Sequence, residues 1–129
     1  MKTNEKTLTF GLTHIAIAVK DLHRTKTFYQ TVFDMEVMYD EAEFVQLTTP
    51  GTNDILVFEK DQNANGESGG IAHFGFRLRD PGAIFIIEQK ILKAGGKIVN
   101  KGEFCPGSPF IFFKDPDNYE VEVWYEVLQ

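Results

Sequence analysis

Apolar and polar residues alternate in two short segments, one near the start of the chain and one just past its middle. These are residues 12–20 (LTHIAIAVK) and residues 71–79 (IAHFGFRLR). A period of two is typical of a β-strand that buries one of its faces. In both segments the bulky apolar residues share one face, while a histidine followed by small or polar residues occupies the other.

A segment with helical spacing follows each of these strands. Asp21 is a good N-cap for a helix over residues 22–33, in which the apolar positions recur on one side. In the second half, Asp80 as N-cap and Pro81 at the first helical position predict a helix that runs to about Ala94, where two glycines end it.

Three short strand-like segments then follow each helix. They cover residues 36–39, 44–48 and 55–60 in the first half, and residues 97–100, 110–113 and 119–126 in the second. The polar segment 61–70 (DQNANGESGG) reads as the loop between the halves. The order of one strand, one helix and three strands therefore occurs twice.

The two halves form an internal repeat. His73 follows His14, and Asp80 follows Asp21, at the same interval of 59 residues. Units this small cannot usually bury their apolar faces alone, so we expect one domain over residues 1–129, with modules at about 8–61 and 70–129.

Charge and cysteine content limit the possible partners. Nineteen acidic residues face thirteen Lys and Arg, and the net charge of −6 argues against nucleic acid and anionic membranes. No stretch is long and apolar enough for a membrane span, and residues 1–6 do not resemble a secretory signal. A single cysteine, Cys105, excludes a disulfide within the chain and fits a reducing, cytoplasmic compartment.

The sequence also contains twelve Phe and one Trp. This is more large aromatic surface than a core of this size usually needs. We therefore expect some of these rings to line a cavity.

Strand parity brings three possible metal ligands together. His14 and His73 lie on the faces of their strands opposite the apolar residues. In the last strand Glu122 shares the non-core face with Glu120 and Trp124. Two imidazoles and one carboxylate suit Fe(II), Mn, Ni, Co or Zn, and leave coordination positions open for water or substrate.

Each of these residues also has an ordinary structural interpretation. A single histidine on a strand is often a structural residue, and a single glutamate on a terminal strand is often only solvated. The recurrence of the histidine at the same place in both repeats favours the metal site.

Four further residues are candidates for the substrate pocket. Arg77 shares the face of His73 and could hold a carboxylate, or it could pair with an acidic neighbour such as Glu120. Trp124 either walls the pocket or simply packs. Phe110 and Phe112 alternate with Ile111 and Phe113 along one strand. Parity alone does not decide which of these two pairs faces the pocket. Residues 102–109 form either a flap over the site or a simple connection.

Three motifs resemble the vicinal oxygen chelate superfamily, which includes glyoxalase I, extradiol dioxygenases, fosfomycin resistance proteins, methylmalonyl-CoA epimerase and bleomycin resistance proteins. They are residues 13–21 (THIAIAVKD), 71–80 (IAHFGFRLRD) and, most specifically, 114–124 (KDPDNYEVEVW). The superfamily places a metal-binding glutamate three residues after an aromatic residue, here Tyr119 and Glu122. Its two metal-binding histidines correspond to His14 and His73.

The resemblance implies an α+β, glyoxalase-like fold, in which two tandem βαβββ modules form a curved mixed sheet around a metal cavity. It also implies a divalent metal ion, a small-molecule substrate with vicinal oxygens, and a homodimer whose site lies within one chain or across two. The function it favours is a metalloenzyme of the dioxygenase or glyoxalase type.

A fourth ligand, a glutamate found in glyoxalase I-like members, is not expected here. Aligning residues 54–60 with the last strand sets Leu56 against Glu122. Glu59 is three residues further on and, in this alignment, on the opposite face of the strand, which makes it a surface residue. The three-ligand set is therefore closer to the dioxygenase and fosfomycin-transferase branches.

The motifs of those two branches are also incomplete, so the reaction stays open. The catalytic tyrosine of extradiol dioxygenases corresponds to Phe112, and the only remaining histidine is His23. The hydroxyl residue of fosfomycin-type thiol transferases corresponds to Ala16. The competing class is a non-catalytic, drug-sequestering protein of the bleomycin resistance type, whose members generally lack the ligand triad.

Overall fold

The computed structural model describes residues 7–126, which contain two helices and eight strands in the predicted order. The first half contains β1 (His14–Val19), α1 (Leu22–Phe33), β2 (Glu36–Asp40), β3 (Phe44–Thr48) and β4 (Ile55–Lys60). The second half contains β5 (Phe74–Arg77), α2 (Ala83–Lys93), β6 (Lys97–Glu103), β7 (Pro109–Lys114) and β8 (Glu120–Trp124).

Each half builds a four-stranded mixed sheet of the same topology. The strand orders are β1-β4-β3-β2 and β5-β8-β7-β6. In each sheet the first and last strands of the module pair in parallel, and the other neighbours pair antiparallel. The α+β class and the two βαβββ modules are thus confirmed. Within the described residues the strands form two separate sheets.

One core is shared by both modules. Each sheet buries one face, and the apolar sides of the two helices pack on these buried faces. Tyr29 on α1 packs against Phe58 of the first sheet (ring centroids 5.0 Å apart), and Phe33 stacks on Phe76 of the second (3.8 Å). The residues below 2% exposure are Tyr29, Phe28, Phe58, Phe113, Leu47, Ile91, Ile111, Val19, Val32, Val45, Val121 and Val123.

Three element boundaries differ from the sequence prediction. Strand β5 begins at Phe74 rather than at residue 71, so His73 immediately precedes it. Strand β6 continues to Glu103, which shortens the following connection. The prediction that Asp80 caps α2 is wrong, because its carboxylate accepts a hydrogen bond from the Gly82 amide in a preceding turn (2.7 Å) and Gly82 becomes the N-cap.

The turn between β7 and β8 ties the second module to the start of α1. Asp117 in this turn accepts a hydrogen bond from the hydroxyl of Thr25 at Oδ2 (2.7 Å). Its Oδ1 pairs with Nη2 of Arg24 (2.8 Å) and accepts from the backbone amide of Lys20 (3.4 Å). The carboxylate is 4% exposed, so its three donors on the first module replace water.

Two further hydrogen bonds cross the same junction. The buried Tyr29 hydroxyl donates to Oδ2 of Asp115 (2.7 Å), and the Tyr119 hydroxyl donates to the carbonyl oxygen of Ala18 on β1 (2.6 Å). Burial raises the pKa of Asp115, while the hydrogen bonds from the Tyr29 hydroxyl and the Tyr119 amide oppose that rise. The junction therefore depends on donors that stabilise a buried carboxylate.

Neither helix of the described chain is long and apolar enough to span a membrane.

Replacing Tyr29 by Phe should lower the free energy of unfolding at pH 7 by about 1.5–3 kcal/mol, the usual contribution of a hydrogen bond to a charged group. The hydroxyl stabilises the ionised form of Asp115, whose pKa is raised above 3.8. The loss should therefore shrink as the pH falls through that pKa. Urea unfolding at pH 7 and pH 4 measures both values.

Tyr39→Phe is the matched control, because the Tyr39 side chain lies on β2 and is exposed. It should change the free energy of unfolding by less than about 0.5 kcal/mol at either pH. Equal losses for Tyr29→Phe at the two pH values would contradict the role assigned to Asp115.

Candidate functional site

The candidate site occupies the face of the second sheet that the helices leave open. Pairing between strands sets Gly75 of β5 beside Glu122 of β8, and Glu122 beside Phe112 of β7. These three cross-strand neighbours form one row, and the next row on the same face consists of Arg77, Trp124 and Phe110. The residues between these rows, such as Val123 and Ile111, are buried in the core, so the rows point away from it.

Two of the three predicted metal ligands meet on this face. His73 immediately precedes β5, and its Nε2 lies 3.3 Å from Oε1 of Glu122. The Glu122 side chain is 12% exposed and that of His73 is 34% exposed. The Phe112 ring packs edge-on against the imidazole, with ring centroids 5.0 Å apart, and so restricts its orientation.

The His73–Glu122 pair suits a divalent metal ion in chemistry and in spacing. An imidazole nitrogen and a carboxylate oxygen are the donors that Fe, Mn, Co, Ni and Zn accept. Two ligands bound to one ion at about 2.1 Å lie roughly 3.0–3.4 Å apart, which brackets the observed separation. A catalytic site of this kind needs a third protein ligand.

His14 is not the third member of this cluster in a single chain. It is exposed at the start of β1, and its Nδ1 lies 2.8 Å from the Thr13 hydroxyl. It lines a cavity of about 500 Å³ together with Gly75 and Arg77, whereas His73 lines a different cavity of about 200 Å³ beside Ala16 and Ala18. Between residues 7 and 126, no three His, Cys, Asp or Glu side chains are grouped to hold a metal ion.

Aromatic rings cover the open face beyond His73 and Glu122. The rings of Phe110 and Phe112 meet edge to face at 5.6 Å, which resolves the choice that parity left open, because Ile111 and Phe113 are buried. Phe104 stacks on Phe110 at 4.2 Å and meets Trp124 edge-on at 6.1 Å. We call Phe104, Phe110, Phe112 and Trp124 the aromatic platform.

Sequence reasoning missed Phe104, because the strand prediction for β6 stopped at Asn100. Gly102 pairs with Phe110, and Phe104 comes two residues later on the same side of the hairpin. Extending the period-two pattern by four residues would have found it. The remaining connection, residues 104–108, is closed by hydrogen bonds from the Phe104 amide to the Ser108 carbonyl (3.1 Å) and from the Ser108 amide to the Cys105 carbonyl (2.9 Å).

Arg77 lies at the edge of the platform. Its guanidinium carbon sits 5.9 Å from the centroid of the Trp124 ring. The alternative of an ion pair with an acidic neighbour is confirmed, but the partner is not Glu120: Arg77 Nη2 lies 3.7 Å from Glu126 Oε1, while Glu120 pairs with Lys114 at 3.8 Å. Position and exposure explain this result, since Glu126 lies just beyond β8 and both partners of the Arg77 pair are about half exposed.

The position equivalent to Glu122 in the first module is Val57, and the alignment that placed Leu56 there is wrong by one residue. Gly75 pairs with Glu122, and its repeat equivalent Ala16 pairs with Val57. Leu56 is 6% exposed in the core. The conclusion that a fourth ligand is missing still holds, because valine cannot bind a metal.

Glu59 lies on the same face as Val57, not on the opposite one. It pairs with Ala18, two rows from His14 along β1. Four residues of strand span about 13 Å, so this carboxylate cannot share an ion with His14 of the same chain. It remains an exposed surface residue, as predicted.

Comparison with known proteins identifies the family. The model of the Glyoxalase/Bleomycin resistance protein/Dioxygenase superfamily matches residues 11–123. The chain belongs to this superfamily. A curated relative is the uncharacterized protein PA2024 of Pseudomonas aeruginosa, which is 28% identical over 122 residues, covering 88% of this chain and 87% of the relative.

Solved structures of superfamily members share the fold. The fosfomycin resistance protein FosX from Listeria monocytogenes superposes with a TM-score of 0.78 at 22% identity, covering 94% of this chain and 97% of that one. Lactoylglutathione lyase from Agrobacterium tumefaciens gives 0.72 at 18% identity, with coverage of 92% and 96%. At these identities the likeness establishes the glyoxalase-like fold of this superfamily member and leaves its reaction open.

The register assignment predicts opposite effects for two adjacent substitutions. Leu56→Glu buries a carboxylate in the core and should lower the free energy of unfolding by more than about 3 kcal/mol or prevent folding. Val57→Glu places the carboxylate on the open face of the first sheet and should change it by less than about 1 kcal/mol. Urea unfolding of both variants checks this, and similar losses for the two would overturn the assignment.

Proposed function

We propose that this protein is a metal-dependent enzyme that acts on a small substrate with two adjacent oxygen atoms. The metal ligands are His14, His73 and Glu122. The observation that carries the proposal is the 3.3 Å approach of the His73 and Glu122 donor atoms on the open face. Membership of a superfamily that includes such enzymes supports it.

In this proposal His14 reaches the metal from a second copy of the chain. β1 and β5 are edge strands of their sheets among the described residues, and within one chain they line the same two cavities without pairing with each other. A two-fold dimer that places β1 of one copy beside β5 of the other forms two equivalent junctions. Each junction then brings an exposed His14 toward the partner's His73 and Glu122.

Each residue of the site has its own role in binding. His73 and Glu122 would hold the ion through an imidazole nitrogen and a carboxylate oxygen, and the Phe112 ring restricts the orientation of the imidazole. The aromatic platform excludes water from the substrate. When bound, the metal ion polarises the two substrate oxygens and stabilises negative charge that develops on them.

A non-catalytic, drug-sequestering role is the second candidate. The observation that favours it is the aromatic platform, in which Phe104 is 55% exposed and available to stack on a ligand. This role needs no metal, so metal content separates the two candidates. Within the enzymes, oxygen consumption with catechols would indicate a dioxygenase, and thiol-dependent turnover would indicate a glyoxalase or a fosfomycin-type transferase.

Metal binding provides the first test. The wild-type protein should retain one Fe(II), Mn(II), Co(II), Ni(II) or Zn(II) ion per chain after dialysis, measured by elemental analysis. His73→Ala and Glu122→Gln should each weaken retention at least tenfold, because each removes a donor. Glu120→Gln is the matched control: it removes a carboxylate of the same face that pairs with Lys114, and it should retain metal normally. Equal retention in all four proteins would contradict the proposal.

Complementation between variants tests the shared site. When alone, His14→Ala and Glu122→Ala should each lose most of their metal on dialysis. After co-refolding at equal concentration, mixed dimers carry one intact site each, so about a quarter of the wild-type sites should return. A site built within one chain predicts no recovery, because every chain then carries a defect.

A further inference from the structure

We propose that the open face of the second sheet selects an aromatic carboxylate. The aromatic platform stacks on its ring, and Arg77 binds its carboxylate. This inference concerns the same site as the proposed function and rests on it for the metal-bound end of the substrate. The ring and the carboxylate are assigned from contacts that do not involve the metal.

The arrangement of the platform favours a flat ring. Its four side chains meet in a continuous series of stacked and edge-on contacts, with centroids 4.2–6.1 Å apart. Phe110 and Phe112 are only partly buried, and they lie outside the core cluster. Aromatic rings add stacking energy only against another flat π-system, so this surface distinguishes an aromatic ligand from an aliphatic one of equal size.

The Arg77 guanidinium group lies at the edge of the aromatic platform and is accessible to an anion. The Trp124 ring lies beneath its guanidinium group and orients it. Its ion pair with Glu126 spans 3.7 Å between two half-exposed groups, and such pairs contribute little stability. A carboxylate that accepts two hydrogen bonds from the planar guanidinium fork would displace this pair.

The charge on the face favours an anion with a single negative charge. Glu120, Glu122 and Glu126 lie along the strand that carries the site or immediately after it. Lys114 is already paired with Glu120. Arg77 and Arg79 line the same cavity at this edge of the platform. With three glutamates along or just after β8, these two cations favour a singly charged carboxylate over a phosphate or other dianion.

The spacing of the rows matches the length of one ring. Glu122 and Trp124 are two residues apart on β8, as are Gly75 and Arg77 on β5, and two strand residues span about 7 Å. A para-substituted benzene ring has about this length. Gly75 presents no side chain beside Glu122, and an added Cβ there would lie 3.1 Å from the Glu122 carbonyl oxygen and 3.4 Å from its Cβ. The substrate would thus carry its vicinal oxygens at one end and its carboxylate at the other.

Three probes test the inference on protein from which metal has been removed. They are benzoate, its neutral analogue benzamide, and the non-aromatic cyclohexanecarboxylate. The single tryptophan, Trp124, lies in the platform, so its fluorescence reports binding directly. Calorimetry in parallel detects binding that leaves the fluorescence unchanged. Benzoate should bind at least tenfold more tightly than either analogue.

Two variants separate the ring from the carboxylate. Arg77→Gln should abolish the preference for benzoate over benzamide, and Phe110→Leu should abolish the preference for benzoate over cyclohexanecarboxylate. Lys93→Gln and Phe10→Leu are matched controls at exposed positions away from the platform, and both should keep the wild-type preferences. Thermal unfolding confirms that each variant is folded.

The outcomes separate this inference from the proposed function. Benzoate selectivity in a protein that never binds metal would support the aromatic carboxylate site and refute the metalloenzyme. Metal binding without benzoate selectivity, or selectivity that survives Arg77→Gln, would overturn this inference and leave the metal site standing. Undetectable binding of benzoate at millimolar concentration in both measurements also overturns it.

Discussion

Each sheet of this protein buries only one face, and the position of every functional candidate follows from that constraint. A helix covers the apolar face, so alternate residues of each strand must be apolar and the residues between them are free to be polar. On β8, Glu122 lies between the core residues Val121 and Val123, and Trp124 follows Val123. The alternation that builds the core therefore also places Glu122 and the rings of Phe110, Phe112 and Trp124 on one open surface.

The two open faces keep their positions because the modules are joined through buried polar contacts. Asp115 and Asp117 in one short turn accept hydrogen bonds from α1, and Tyr119 reaches the backbone of β1. A buried carboxylate is costly unless its acceptors are satisfied, so these bonds also define a single arrangement of the turn. The same turn begins β8 and so sets the positions of Glu122 and Trp124.

Alternation and repeat spacing were sufficient to predict the α+β class, the module order, and the faces of His73, Glu122 and Trp124. They failed for the alignment of β4 with β8, because an error of one residue in register assigns a side chain to the opposite face of the strand. Leu56 and Val57 are both apolar, so only the pairing with Ala16 decides between them. Phe104 was missed because the strand prediction for β6 stopped at Asn100, whereas the strand continues to Glu103. No periodicity in one chain can show whether His14 completes the site from a second copy.

The central claim is that one metal ion joins His14 of one copy to His73 and Glu122 of another. X-ray absorption at the zinc edge, with one Zn(II) loaded per chain, counts the imidazoles bound to the ion. The account predicts two imidazoles per zinc in the wild-type protein and one in the His14→Ala variant. A single imidazole in the wild type, or a count that His14→Ala leaves unchanged, would contradict it.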